Sequence, residues 1–341
     1  MTHFESGFES ELHAARSEEG PSITCQTVSA QGITARLRKG ASAADLPKDI
    51  LVIDTGCPLP PDESRRAVED QESLDALYRD TIRRGIIDHH AIDATVTLAD
   101  GIQRRSSTGM IILAPELIRE QIESRGVREI TAHQDSDLDS LSACFLAASI
   151  KQHGSLPQMA KRLAEHVDLV DFGLLRVSSD EYGKTLAGTL SALKKVHDEE
   201  TREQLRTQVW SHPSLSREEK TEASNGILAE RQQQLTEDVF HLFNSCERLS
   251  LRDEFSLLNV SEALPLLRPE LQSQIARGQS LLKNDLDTFE RELRTALIGT
   301  GRVLDHTKTY REVPVIIFRN TELHPLAVTN LSYLRFPPEA V

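Results

Sequence analysis

Residues Ile130–Ile150 read ITAHQDSDLDSLSACFLAASI. A short apolar run closes at Ala132, and His133, Asp135, Asp137 and Asp139 then place four groups able to bind a metal within seven positions. An apolar stretch from Leu141 to Ile150 follows, with Asp139 or Ser140 offering the N-cap of a helix. Strand, polar turn and helix is therefore the local reading. Two upstream stretches share its first half, ILVIDTG at 50–56 and GIIDHH at 85–90. In all three, an apolar run of strand length ends in Asp or His.

Between and beyond these anchors the chain alternates. Pro58, Pro60 and Pro61 keep PLPPDES a loop. Glu63–Ile82 then carries Ala67, Leu74, Leu77, Tyr78 and Ile82 at three- and four-residue spacing, which predicts a helix. Thr95–Leu98 reads as a weak strand. Ser106-Ser107-Thr108 offers the N-cap of a helix running through Met110, Ile111, Leu113, Leu117 and Ile118, with Gly109 and Pro115 delaying or bending it. Val127–Thr131 predicts a strand, and Pro157 opens a further helix that stops at Gly173. Strand–helix alternation over 50–173 argues for an α/β fold, an open and mostly parallel sheet flanked by helices. Ligands of such sheets sit outside the carboxyl ends of the strands. That edge would gather Asp54, Asp88, His89, His90 and the 133–139 cluster.

Toward the N-terminus, residues 22–40 hold two alternating runs around Gln31-Gly32, read as strands or a hairpin at a sheet edge. Toward the C-terminus, 180–300 is charged, with helical apolar spacing over Leu186–Val196, Glu199–Trp210 and Glu218–Phe243. After Gly299-Thr300-Gly301 the segment GRVLDHTKTYREVPVIIFRN reads as two strands around a turn, with Pro314 suited to a strand start. The domain reading is a flexible N-terminus (1–20), a catalytic α/β domain (21–180), a helical connector (181–240) and a smaller α+β substrate-binding domain (241–341).

Bulk properties bound the function. The chain has 341 residues, beyond the ~250–300 at which a single core stops growing, so more than one domain is expected. A mean hydropathy of −0.36 fits an ordinary soluble protein. No apolar run approaches the ~18–20 residues that span a bilayer, and the first twenty residues lack an apolar signal core, so a cytoplasmic location is expected. A formal net charge of −14 repels phosphate backbones and argues against duplex nucleic acid as a partner. An aromatic content of 4% leaves few platforms for stacking single strands. Cys25, Cys57, Cys144 and Cys246 lack zinc or disulfide spacing and read as free thiols, with Cys144 as apolar filler.

The clustered carboxylates and imidazoles point to hard divalent cations, with imidazole suiting Mn²⁺. Two such ions ~3.5–4 Å apart clamp a phosphoryl group and activate water. Blander readings exist for each piece. A lone Asp at a strand end is commonly a cap, and Asp54 gains weight only from its neighbours. The 135–139 run could be a solvated turn or a calcium loop, but it lacks the Gly and Glu that an EF-hand requires. Arg83-Arg84 and Arg104-Arg105 read as solvated helix ends rather than phosphate binders, and His153 and His166 as surface residues.

Taken together, ILVID, IIDHH, the following RRSSTGMIILAPEL and H-x-x-x-D-x-D over 133–139 resemble the DHH phosphoesterase superfamily, which includes RecJ-like exonucleases and family II pyrophosphatases. The resemblance covers roughly residues 48–175. It implies metal ligation by Asp54, His89, His133, Asp137 and Asp139, with Asp54 bridging two ions. It also implies a substrate contact from His90 and an orienting role for Asp88. A further carboxylate would come from Asp168, with Asp135 and Asp171 as alternatives. Two departures stand out. H-x-x-x-D-x-D follows DHH here, whereas the family usually places it first, so the motif order looks permuted. The family's glycine-rich substrate motif is also missing, and Arg302, His306, Lys308 and Arg311 are the candidates to bind phosphate in its place.

The expectation is a phosphohydrolase using two Mn²⁺ or Mg²⁺ ions to cleave a phosphodiester or phosphoanhydride. Its substrate would be a small phosphorylated molecule: a nucleotide, a short oligonucleotide or pyrophosphate. No membrane partner is expected, and a homodimer stays open. The competing reading is a regulatory protein that keeps the fold and binds a phosphorylated ligand without turnover.

Overall fold

The computed structural model describes residues 22–25, 28–29, 49–54, 66–93, 96–99, 101–132, 137–252, 254–304 and 310–317. These form a mixed α/β protein that is mostly helical. In chain order come β1 (Val28–Ser29), β2 (Ile50–Ile53), β3 (Arg66–Val68), α1 (Gln71–Arg83), β4 (Ile86–Ile87), α2 (His89–Asp93) and β5 (Val96–Leu98). Next are α3 (Ser107–Leu113), α4 (Pro115–Ser124), β6 (Glu129–Thr131), α5 (Leu138–His153), α6 (Ala160–Asp171) and α7 (Ser179–Tyr182). The remainder comprises α8 (Leu186–Leu205), α9 (Arg217–Leu249), α10 (Pro269–Leu293), β7 (Leu297–Leu304) and β8 (Tyr310–Ile317).

The sheet that positions the site has the order β1-β6-β2-β4, and every pairing in it is parallel. Ile53 stands opposite Ile87, so Asp54 and Asp88 leave neighbouring strands at the same level. The Asp54 N–H donates to the Ile87 carbonyl at 2.8 Å, which extends the pairing by one step. The first alternating run of 22–40 reaches the sheet edge as β1; the second lies outside the described residues.

Several element boundaries differ from the sequence reading. Residues 66–68 are not helical: they pair in parallel with β5 as a separate two-stranded sheet. The helix starts instead at Gln71, because Asp70 accepts the Ser73 N–H at 2.7 Å. Pro115 divides the next predicted helix into α3 and α4, occupying the first turn of the second, where its missing N–H costs nothing. Helix α5 begins at Leu138, capped by Asp137 through the Ser140 N–H at 2.9 Å, rather than by Asp139 or Ser140. The helix predicted from Pro157 starts at Ala160. The two helices read at 186–196 and 199–210 are one rod, α8, which continues into a five-residue π-helical turn at Arg206–Trp210. Pro314 falls inside β8, opposite Thr300, in a two-stranded antiparallel sheet with β7.

One apolar core runs from Ile23 and the sheet residues Leu51, Ile53, Ile87 and Ile130 through Phe145 to Phe240, Phe243 and Ile275. Cys144 is buried within it, as expected of filler. Phe145 meets Phe240 and Phe243 edge-on, each with ring centroids 5.2 Å apart, and this locks α5 against α9. His166 lies in this interior too, contrary to its reading as a surface residue. It is 3% exposed and accepts the Ala187 N–H at 3.4 Å. Burial pushes its imidazole down to about 4, so the ring is held neutral. No helix among the described residues is long and apolar enough to cross a membrane.

Candidate metal centre

The centre is built at the carboxyl ends of β2 and β4 and at the helix starts beside them. Asp54 follows β2 with φ +46°, a left-handed backbone that is uncommon for a residue with a side chain. Such conformations cost of order 1–3 kcal/mol and persist where surrounding structure enforces them. Here the bond to Ile87 fixes the backbone, and the Ser107 hydroxyl donates to Asp54 Oδ1 at 3.2 Å.

His89 opens α2, and its ring is buried. Three carboxylates from three different elements surround its Nε2: Asp171 Oδ2 at 3.3 Å, Asp139 Oδ2 at 3.7 Å and Asp54 Oδ1 at 4.0 Å. Phe172 closes one side with an edge contact at 5.8 Å between centroids. His90 stacks at a tilt beside His89, with centroids 4.0 Å apart, and its side chain is 58% exposed. Its Nδ1 lies 3.2 Å from Asp54 Oδ1 and 3.3 Å from Asp88 Oδ1. Asp88 also accepts the His90 backbone N–H at 3.0 Å, so one carboxylate orients both the residue and its ring. Asp54 and then Asp88 hold the His90 imidazole well above its ordinary range, against a smaller lowering by its partial burial.

Helix α3 explains how acidic groups are held so close. The first N–H groups of a helix have no partner within it. Here Ser107 N–H and Thr108 N–H donate to Asp139 Oδ2 and Oδ1 at 2.8 and 2.7 Å. The Thr108 hydroxyl adds a bond to the Asp139 carbonyl at 3.0 Å. Ser106 donates both its N–H (2.9 Å) and its hydroxyl (2.6 Å) to Asp168 Oδ1, and its own oxygen caps Gly109 N–H at 3.1 Å. The positive end of one short helix thus anchors carboxylates from α5 and α6. Even so, burial and then the neighbouring Asp54 and Asp171 push the Asp139 carboxyl well up. Burial pushes Asp171 up to about 6, partly offset by His89.

Six sequence-flagged residues meet here: Asp54, Asp88, His89, His90, Asp139 and Asp171. Their ligand atoms form two overlapping groups able to hold an ion, Asp54–His89–His90 and His89–Asp139–Asp171, each with all atoms within 4.8 Å of one another. Asp168, expected as the sixth ligand, is turned to Ser106 instead; Asp171, one helical turn on, faces His89. Asp137 caps α5 through one carboxylate oxygen and stands outside both groups among the described residues. His133 and Asp135 lie outside the described residues, as do His306 and Lys308. Arg302 and Arg311 are one step apart in the β7–β8 register, opposite Glu312 and Val303 respectively. Arg105, read as a solvated helix end, is instead a partly buried tie: it forks onto Asp75 with two bonds of 2.9 Å.

The donor set fits a divalent cation. Oxygen and imidazole ligands converge from four segments, and crowded carboxylates that repel one another are what a positive ion relieves. Sequence reasoning missed the work of Ser107 and Thr108. The SSTG stretch signalled a helix start, but not which carboxylates its amides would bind. No protein-family model matches the chain, and neither a curated protein nor a solved structure shows significant similarity to it.

Proposed function

We propose that this protein is a metal-dependent phosphohydrolase that cleaves a phosphodiester or phosphoanhydride. The observation that carries the reading is the enclosure of His89 Nε2 by Asp54, Asp139 and Asp171 within 4.0 Å, from separate elements. His89 is common to the two ligand groups, and Asp54 and Asp139 face its Nε2 from opposite members of the pair. Mn²⁺ or Mg²⁺ ions bound there would lower the pKa of water and neutralise charge on phosphoryl oxygens.

The chain's own residues supply the rest. Water oxygen bonds to phosphorus as the opposite P–O bond breaks. The electron pair leaves with the departing oxygen, which takes up the proton that the water loses. His90, beside Asp54 and open to solvent, is placed to donate a hydrogen bond to the phosphoryl group. Asp88 positions that ring. Ser107 and Thr108 keep Asp139 and Asp54 from swinging out of place. In this reading residues 21–180 form an open parallel sheet flanked by helices, and the C-terminal segment forms a smaller domain whose Arg302, His306, Lys308 and Arg311 bind substrate phosphate in the cytoplasm.

The test is hydrolysis of bis-p-nitrophenyl phosphate and of pyrophosphate with Mn²⁺ added. Activity is expected to require the metal and to fall by about a thousandfold in His89→Ala, the scale of losing a group that holds the charge-stabilising ions. Equal rates in wild type and His89→Ala would overturn the reading.

A further inference from the structure

A cleft of about 250 Å³ continues from the metal centre between α5, α6 and α8. Asp139 and Asp171, which face His89, are also part of its wall. Away from them its character changes. Leu138, Val167 and Leu190, all buried, and Val170 form apolar sides. At the same cavity Tyr182 and Ser191 share a hydrogen bond between their hydroxyls at 3.1 Å, and the half-buried Lys194 lies one helical turn from Leu190.

Pyrophosphate has no apolar surface to place against such walls. A compact ring gains by burial there, at about 25 cal/mol per Å² of apolar area removed from water. The volume lies below the ~300–1,000 Å³ of pockets for drug-sized ligands, which suits one ring system rather than a polymer. The Tyr182–Ser191 hydroxyls and the Lys194 ammonium add hydrogen-bonding groups of the kind a heteroaromatic edge engages.

We infer that this cleft receives the organic group of the substrate, and that the substrate is a phosphate ester carrying one compact heteroaromatic ring, as a nucleotide does, rather than an inorganic phosphoanhydride. The inference rests on the phosphohydrolase reading for the position of the phosphate, but the cleft is testable apart from turnover.

The experiment uses the full chain with Mn²⁺ and two variants, Leu190→Trp, which fills the cleft, and Lys194→Glu, on its more polar part. Binding of thymidine 5′-monophosphate is measured by calorimetric titration. Hydrolysis of the p-nitrophenyl ester of thymidine 5′-monophosphate is compared with that of pyrophosphate. Wild type is expected to prefer the nucleotide ester. Each variant is expected to weaken nucleotide binding and raise the ester's KM about tenfold, with kcat largely kept, the signature of lost ground-state binding. The ester-to-pyrophosphate ratio of kcat/KM should fall by a similar factor. Nucleotide binding that is lost in the variants while no probe is hydrolysed would sink the phosphohydrolase reading and leave the cleft assignment standing. Hydrolysis that favours pyrophosphate, or nucleotide binding unchanged in both folded variants, would overturn the cleft assignment alone. Circular dichroism melting establishes that each variant folds, and Lys194→Glu decides the matter if Leu190→Trp does not.

Discussion

His166 shows how one side chain ties stability to pH. Its folded value lies at about 4 against an ordinary 6.5, so the native state binds fewer protons than the unfolded chain between those values. The stability this neutral ring contributes is complete above 6.5 and is lost as pH falls toward 4. A shift of that size corresponds to roughly 3 kcal/mol. The stability difference between wild type and His166→Gln, measured by urea unfolding, should therefore shrink by roughly that amount from pH 7 to pH 4. A constant difference would show that the buried ring does not titrate. The sequence concealed this role because His166 shares α6 with charged neighbours Lys161, Arg162 and Glu165. The choice between Asp168 and Asp171 was concealed for a related reason. They are three residues apart on one helix and so share a face. Only the positions of Ser106 and His89 across from them separate a structural carboxylate from one in the centre.

At the scale of elements, the strand-end residues Asp54, Asp88 and His89 were legible because a strand that stops at a polar residue leaves few places for it to go. Helix starts were less so. Apolar spacing continues upstream of Gln71 through Ala67, and the Asp70 cap and the pairing of 66–68 with β5 end it. Packing between α8 and α10 left almost no sequence signal, although Gly278 governs it. A Cβ there would fall 2.0 Å from the Ala192 carbonyl oxygen, a backbone atom that cannot step aside. Gly278→Ala gains about 1 kcal/mol of intrinsic helix propensity. The overpacking should exceed that gain, for a net loss of about 2 kcal/mol, read as a lower urea midpoint at unchanged slope. A stabilised Gly278→Ala variant would mean that the two rods do not approach so closely. Lys195–Asp285 and Arg277–Glu199, also between these rods, would then be paired across a wider gap.

For the whole molecule, the same apolar core that carries the sheet extends into α8, α9 and the start of α10. The candidate metal centre is therefore seated on the global fold rather than on a detachable loop, and ligand binding there should register in overall stability. A cation that binds only the native state adds about 2.7 kcal/mol at a hundredfold excess over its Kd. Mn²⁺ should raise the calorimetric melting temperature, EDTA should reverse the rise, and His89→Ala should abolish it. A rise of equal size in His89→Ala would place the ion elsewhere. The net acidity takes on a second meaning at this scale. Part of the acidity is the centre itself, three carboxylates around one imidazole.

The left-handed backbone of Asp54 has a consequence for how this position can change. Asn and Gly tolerate that conformation as well as Asp does or better, yet both discard the negative charge. Glu keeps the charge, but its longer stem suits that backbone poorly and carries the carboxylate past Ser107 and His90. Drift at residue 54 thus has no gentle first step, since shape and charge cannot both survive a single exchange.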